Sequence, residues 1–190
     1  NKLTWGKCIN LGQSCISPDY ILVHESRKDE FINELSNNIN EIYGQTFDQK
    51  SESLDLARVV NARHFDRLDD LLCSAIEDGA VIAHGGRKDQ GSLFIEPTIL
   101  DSVTLGMKIM QEEIFGPLLP IIPYKNLNEC IQIINQRTKP LAIYMFSQSN
   151  KNIDTIIENT SSGAMVINEV KSQFLNLDLP FGGVNASGIG

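Results

Sequence analysis

The sequence is poor in the residues that build metal centres and disulfide frameworks. Its 190 residues hold four cysteines, Cys8, Cys15, Cys73 and Cys130, and none forms a C-x-x-C pair. Three histidines, His24, His64 and His84, are scattered along the chain. No ligand spacing for zinc emerges, so no metal site is expected. The cysteine spacing is not that of a disulfide framework either, which points to a reducing, cytoplasmic setting. Positive charge is also scarce. Residues 1–100 carry 16 acids and 10 bases, residues 101–190 carry 8 and 6, and the net charge is −8. With no basic stripe to track a phosphate backbone, a nucleic-acid partner is not expected. The acidic surface speaks for solubility. No apolar run approaches the ~20 residues that span a bilayer, and no secretory leader pattern is read. The chain starts at Asn1 and ends in a glycine-rich stretch. Both ends look cut, and a longer polypeptide is expected.

What is present reads as a globular α/β chain, one domain or two small lobes, since 42% of it is hydrophobic and 21% charged. "YILVH" (Tyr20–His24) reads as a strand. Ser26 is the expected N-cap of a helix that keeps Phe31, Leu35 and Ile39 on one face and stops at Gly44. Residues 45–57 are polar and read as a loop. A second helix is expected over about 57–77, with Val60, Phe65, Leu68, Leu72 and Ile76 on its buried side and Gly79 as its stop. "AVIAHGG" reads as a strand with a turn. "LFIEPTIL" reads as an interrupted extended run, with Pro97 placing it at a sheet edge. The second half alternates regularly. Leu118–Tyr124 is extended, Asn126 caps a helix, Leu141–Ser147 is a strand, a helix starts at Asn150, and Ala164–Asn168 is a strand. This β-α-β-α-β order predicts a parallel sheet flanked by helices. Ligands gather at the carboxyl ends of such strands, which draws attention to Asn168.

"NLGQSC" (Asn10–Cys15) places a thiol directly after a turn and before an apolar strand. A packing cysteine needs no such setting, whereas a nucleophilic one must be accessible and close to backbone N–H groups that favour the thiolate. Cys8 lies seven residues earlier, about 10 Å away along a helix, beyond easy disulfide reach. Taken with "MQEEIFGPLLP" (Met110–Pro120) and "LPFGGVNASGIG" (Leu179–Gly190), the segment "NLGQSCISPDY" resembles the catalytic half of the aldehyde dehydrogenase superfamily. "VVNARHFDRL", "FIEPTIL", "INQRTKPLAIYMFS" and "NTSSGAMVIN" are most similar to its class 3 branch, which handles fatty and aromatic aldehydes. The similarity covers essentially the whole chain.

The resemblance implies an aldehyde dehydrogenase-like catalytic domain over residues 1–190, with the cofactor-binding domain and C-terminal tail outside it. It implies NAD or NADP as cofactor, a small-molecule aldehyde as substrate, and a homo-oligomer in the full-length protein. Cys15 would attack the aldehyde carbonyl as a thiolate, pass through a thiohemiacetal and a thioester, and offer its backbone N–H to the oxyanion. Glu113 would accept hydrogen bonds from the nicotinamide-ribose hydroxyls, and Phe115 would pack beside the nicotinamide ring. Phe181 would contact the apolar tail of the aldehyde near the thiol, and Asn168 joins it as a substrate-pocket candidate. Against these stand plainer readings: an inert thiol, surface acids, a core aromatic and a turn residue. Asn10 reads as loop-fixing and Glu112 as structural.

Three departures from the family pattern stand out. Cys8 replaces an aromatic or aliphatic residue, and Ser17 replaces a common Ala. The family's general-base Glu, from a "LELGGK"-like segment, has no counterpart here, and neither Glu112 nor Glu169 takes that role. The second oxyanion donor of the family also lies upstream. The isolated chain is therefore expected to be incomplete as a dehydrogenase. The competing readings are an inactive domain of the same fold kept for interactions, and a cofactor-free thiol esterase.

Overall fold

The computed structural model describes residues 1–188, so Ile189 and Gly190 of the "LPFGGVNASGIG" segment lie outside the described residues. Two compact units emerge. The first comprises Asn1 and Leu3–Pro123, and the second Lys2 with the described residues from Tyr124 onward.

The first unit opens with helix α1 (Lys2–Cys8), which breaks into a kinked turn at Ile9–Gly12 where Asn10 and Leu11 leave the right-handed helical region. Strand β1 (Ile21–His24) follows. Helix α2 (Lys28–Tyr43) buries Ile32, Leu35, Ile39 and Tyr43 and stops at Gly44, whose φ of 111° suits a residue without a Cβ. Ser26 is not the cap of α2. It sits in a 3₁₀ turn and pairs its hydroxyl with the His24 ring at 2.8 Å. The stretch expected to be a loop at 45–57 contains helix α3 (Phe47–Glu52). Its start is a capping box, in which Thr46 accepts from the Gln49 N–H and Gln49 reaches back to the Thr46 N–H. Lys50 of α3 is buried against Glu96 at 3.1 Å. The two charges offset each other's desolvation, and leaving either one alone would cost about 3–5 kcal/mol.

Helix α4 (Ala62–Glu77) begins later than the periodicity predicts, because the Asn61 side chain accepts the His64 N–H and caps it. Val60 therefore lies outside the helix and is exposed, and Ile76 is half-exposed, while Phe65, Leu68 and Leu72 are buried as expected. Strand β2 (Val81–His84), the short hairpin of β3 (Lys88–Asp89) and β4 (Phe94–Ile95), strand β5 (Thr98–Asp101) and strand β6 (Leu118–Tyr124) follow. The four-stranded sheet has the order β1-β6-β5-β2, with β5 and β6 parallel and β2 antiparallel to β5. The edge placement inferred from Pro97 is thus overturned, since β5 is interior. Pro97 precedes the strand, so its missing N–H removes no ladder bond. Leu11, Leu68, Leu71, Ile99, Leu100, Ile109, Ile114 and Leu118 are fully buried in this unit, each contributing about 1.5–3 kcal/mol.

The second unit alternates helix and strand. Helix α5 (Leu127–Asn135) is capped by Asn126, and α6 (Asn150–Asn159) by Ser149. Between and after them run β7 (Ala142–Met145) and β8 (Ala164–Ile167), parallel and in register from Ala142↔Ala164 to Met145↔Ile167. A single helical turn, α7 (Ser172–Leu175), follows, and a 3₁₀ turn at Asn185–Ser187 is the last element among the described residues. The α/β class with parallel strands and flanking helices holds. The β-α-β-α-β series does not form one sheet, because β6 pairs with β5 while β7 and β8 pair with each other.

Candidate active site

The thiol loop owes its shape to three consecutive left-handed residues. Asn10, Leu11 and Gly12 have φ values of 53°, 54° and 73°, a conformation that glycine adopts freely and other residues only when held. Leu11 is held by complete burial. Asn10 is held by its own amide, which donates to the Gln13 carbonyl at 2.8 Å, in keeping with the loop-fixing reading. Gln13, only 8% exposed, ties the loop down. Its amide donates to the carbonyls of Asn10 and Arg58, and its Oε1 accepts from the Val60 N–H at 2.9 Å. Two residues later the chain turns, and Cys15 stands exposed at that turn as a free thiol. Cys8, by contrast, is buried in α1. Cys130 is buried in the second unit, where burial, then the Glu129 charge, pushes its thiol up to about 11. Cys73 is exposed and donates to the Asp69 carboxylate at 3.4 Å.

The "EEIFGP" segment lies against this loop. A Cβ on Gly12 would sit 2.2 Å from the Gly116 carbonyl oxygen, so the two backbones touch there with no room for a side chain. The Asp19 carboxylate, four residues past the thiol, accepts the Ile114 N–H at 3.0 Å. Fully buried Ile114 anchors the centre of the segment. Helix α4 contributes Arg67 and His64 to the same segment. The guanidinium donates to the Glu112 carboxylate at 3.0 Å, to the Glu113 carbonyl at 3.2 Å and to the Ile114 carbonyl. His64 Nε2 lies 2.7 Å from the Phe115 carbonyl oxygen, with its ring edge-on to the Phe115 ring at 5.8 Å.

The two acids of the motif are thereby separated in role. Glu112 is engaged by Arg67. The Glu113 carboxylate takes no hydrogen bond among the described residues, and its acidity is weakened above the ordinary carboxylate range. Desolvation is the main cause, repulsion from Asp19 adds to it, and Arg67 opposes both. A carboxylate in that position suits a pair of hydroxyl donors.

The other two sequence candidates belong to the second unit. Asn168 follows β8 at a φ of 58°, and its side chain is committed on both sides to Ser147: Oδ1 accepts from the Ser147 N–H and Nδ2 donates to the Ser147 carbonyl, each at 2.9 Å. That arrangement braces the carboxyl ends of β7 and β8. Phe181 is 46% exposed and packs edge-on against Phe174 at 5.6 Å, so it is not a core aromatic. Gln13, Asp19, His64 and Arg67 were not singled out from the sequence as site residues. Their contacts bridge 45 to 95 positions, and no local pattern announces them.

Comparison with known proteins gives the family and the fold that this chain resembles. The model of the family described as "Aldehyde dehydrogenase family" matches residues 1–190. The chain is 46% identical to "Aldehyde dehydrogenase family 3 member A2" of Rattus norvegicus, covering all of this chain and 37% of that protein. It is 44% identical to "Aldehyde dehydrogenase, dimeric NADP-preferring" of the same organism, over all of this chain and 40% of the relative. The solved structure "Substrate bound state of Staphylococcus Aureus AldH" superposes with a TM-score of 0.94 at 46% identity, covering 100% of this chain and 40% of that one. The chain thus spans about two fifths of the length of the proteins it matches.

Proposed function

The chain belongs to the aldehyde dehydrogenase family, and we propose that it is the thiol-bearing catalytic portion of an NAD(P)-dependent enzyme that oxidises an aldehyde to a carboxylic acid. The observation that carries the reading is the backbone contact of Gly12 with Gly116. It joins the loop bearing Cys15 to the loop bearing Glu113 and Phe115, about a hundred residues apart in sequence.

Cys15 is the nucleophile. Its sulfur forms a bond to the aldehyde carbon, and the carbonyl electron pair moves onto the oxygen. The Cys15 backbone N–H is assigned to that oxyanion, where charge develops. A bound nicotinamide dinucleotide supplies the hydride acceptor. Loss of hydride from the carbon leaves a thioester on Cys15, and water releases the acid and regenerates the thiol. The residues present fit such a cofactor at its nicotinamide end. Glu113 has an open carboxylate for the ribose hydroxyls, and the half-buried Phe115 offers a ring face beside them. The general base and the second oxyanion donor are assigned to sequence outside this chain. Phe181 and Asn168 are carried as substrate-side residues of the second unit, Phe181 for an apolar aldehyde tail. On the likeness to a relative described as dimeric and NADP-preferring, the whole protein is assigned NAD or NADP and a homo-oligomeric assembly. An exposed catalytic thiol suits a reducing, cytoplasmic setting. No helix among the described residues is long and apolar enough to cross a membrane.

The test uses the full-length protein and two activities. Cys15→Ala abolishes both dehydrogenation and ester hydrolysis, because both begin at the thiolate. Glu113→Gln exchanges one acceptor oxygen for an amide donor and loses a charge-assisted contact worth roughly 1.5–3 kcal/mol. Hydride transfer then slows by roughly ten- to a hundredfold, while cofactor-free ester hydrolysis stays near wild type. Stopped-flow rates decide the matter. Equal loss of both activities in Glu113→Gln would assign Glu113 to the thiol or the fold instead.

A further inference from the structure

We propose that His64 and Arg67, one turn apart on α4, are positioning residues that set the cofactor-facing geometry of Phe115 and Glu113. The proposal rests on the reading that these two residues meet the nicotinamide end.

Phe115 has a φ of 48°. A bulky residue rarely occupies the left-handed region and stays there only when its surroundings hold it. The holding group is identifiable. The Phe115 carbonyl can only accept, so the 2.7 Å contact requires a hydrogen on His64 Nε2. On the far side of the ring, Arg67 Nε lies 3.3 Å from His64 Nδ1. A guanidinium only donates, so Nδ1 must be the bare acceptor. Both contacts together specify the neutral Nε2–H form of His64, fixed from two directions. The His64 backbone is itself anchored, because its N–H is the one that caps α4 through Asn61. The ring also meets the Phe115 ring edge-on, so one side chain restrains both the carbonyl and the aromatic face of the same residue.

Arg67 extends the restraint along the chain. It holds the Glu112 carboxylate and the carbonyls of Glu113 and Ile114. The donors that His64 and Arg67 direct at this segment go to the Glu112 carboxylate or to backbone oxygens of residues 113–115, and none goes to the Glu113 carboxylate. Backbone is fixed while the two proposed cofactor-facing groups, the Glu113 carboxylate and the Phe115 ring, keep their outward sides. Asp19 accepts the Ile114 N–H of the same segment, and Gly12 packs on its Gly116. The arrangement is that of a preorganised contact whose supporting groups lie one layer back.

The experiment compares His64→Leu, His64→Gln and Glu113→Gln in the full-length protein, reading KM for NAD(P), KM for the aldehyde, hydride-transfer rate, cofactor-free ester hydrolysis and melting temperature. His64→Leu removes the donor and the Nδ1 acceptor. The expected result is a rise of about tenfold in KM for NAD(P) and a comparable slowing of hydride transfer. Aldehyde KM and ester hydrolysis stay within about twofold. His64→Gln keeps an N–H donor for the Phe115 carbonyl and recovers most of the loss. The proposal is overturned if ester hydrolysis falls by the same factor as hydride transfer in His64→Leu. It is also overturned if His64→Gln does no better than His64→Leu at matched melting temperature. Should His64→Leu fail to fold, Arg67→Gln takes its place, and an unchanged KM for NAD(P) there overturns the proposal. A silent His64→Leu beside a damaged Glu113→Gln overturns the positioning role alone. If both are silent, the cofactor reading falls with it.

Discussion

Phe115 and Phe181 come from motifs of the same resemblance, yet the protein treats them in opposite ways. The backbone around Phe115, in the first unit, is held from two distant stretches: the one around Cys15, through the Asp19 carboxylate and Gly12 packed on Gly116, and α4, through His64 and Arg67. Phe181, in the second unit, has a ring neighbour in Phe174 and stands 46% exposed. Phe174, Leu175, Leu177 and Leu179 around it are exposed as well. The first loop is preorganised by hydrogen bonds whose directions leave few alternatives. The second presents apolar surface, which is non-directional and suits a ligand tail of variable shape. The function proposed above calls on both, a cofactor held in one pose and a substrate side tolerant of many.

The sharpest way to break this contrast is at the backbone contact under the first loop. Gly12→Ala places a Cβ 2.2 Å from the Gly116 oxygen and 2.7 Å from its carbonyl carbon, at a φ of 73°. Neither neighbour is a side chain that can swing aside. The expected loss is about 4 kcal/mol or more, read from urea unfolding with the denaturant slope held constant. A loss below about 1 kcal/mol would show that the two loops are not in backbone contact.

A smaller effect is expected in the second unit. Phe181→Ala removes a half-exposed ring and one edge-on aromatic pair, worth about 0.5–1.5 kcal/mol. Its melting temperature should fall by no more than about 5 °C, while KM for long-chain aldehydes rises relative to short ones. A collapse in stability comparable to that of Gly12→Ala would make Phe181 a core residue and erase the contrast.

The smallest effect refines the account of Glu113. Its carboxyl is held above the usual range by desolvation and by Asp19. The folded state therefore binds this proton more tightly than the unfolded chain. Stability from the group is present at low pH and is lost as pH rises through the folded value. At neutral pH Glu113→Gln should melt no lower than wild type and up to about 2 °C higher. The two curves should converge as the pH drops into the carboxylate range. A lower melting temperature for Glu113→Gln at neutral pH would mean that the carboxylate is stabilised by a partner and is not open for a ligand.

Much of the architecture was legible locally because its causes are local. Helices α2, α4, α5 and α6 show apolar spacing with a cap or a glycine stop, as with Asn126 and Gly44. Helix α3 was missed because its single signal, the Thr46–Gln49 capping box, sits in a polar run with no apolar period. The edge reading of Pro97 failed because a proline one residue before a strand and one within it look alike in sequence.

For the site, the sequence by itself offered Cys15 at a turn as a candidate, and the resemblance added Glu113 and Phe115 of "EEIFGP" with Glu112 as structural, because such candidates are read from side-chain types at short spacings. Only the tertiary structure decided what engages each acid, Arg67 on Glu112 with no hydrogen bond to the Glu113 carboxylate among the described residues, and what holds the left-handed backbone of Phe115. Those outcomes depend on where Arg67, His64 and Asp19 arrive in space. Hydrogen bonds of about 3 Å between residues 45 to 95 positions apart exist only once the core around Leu68, Ile114 and Leu118 has closed.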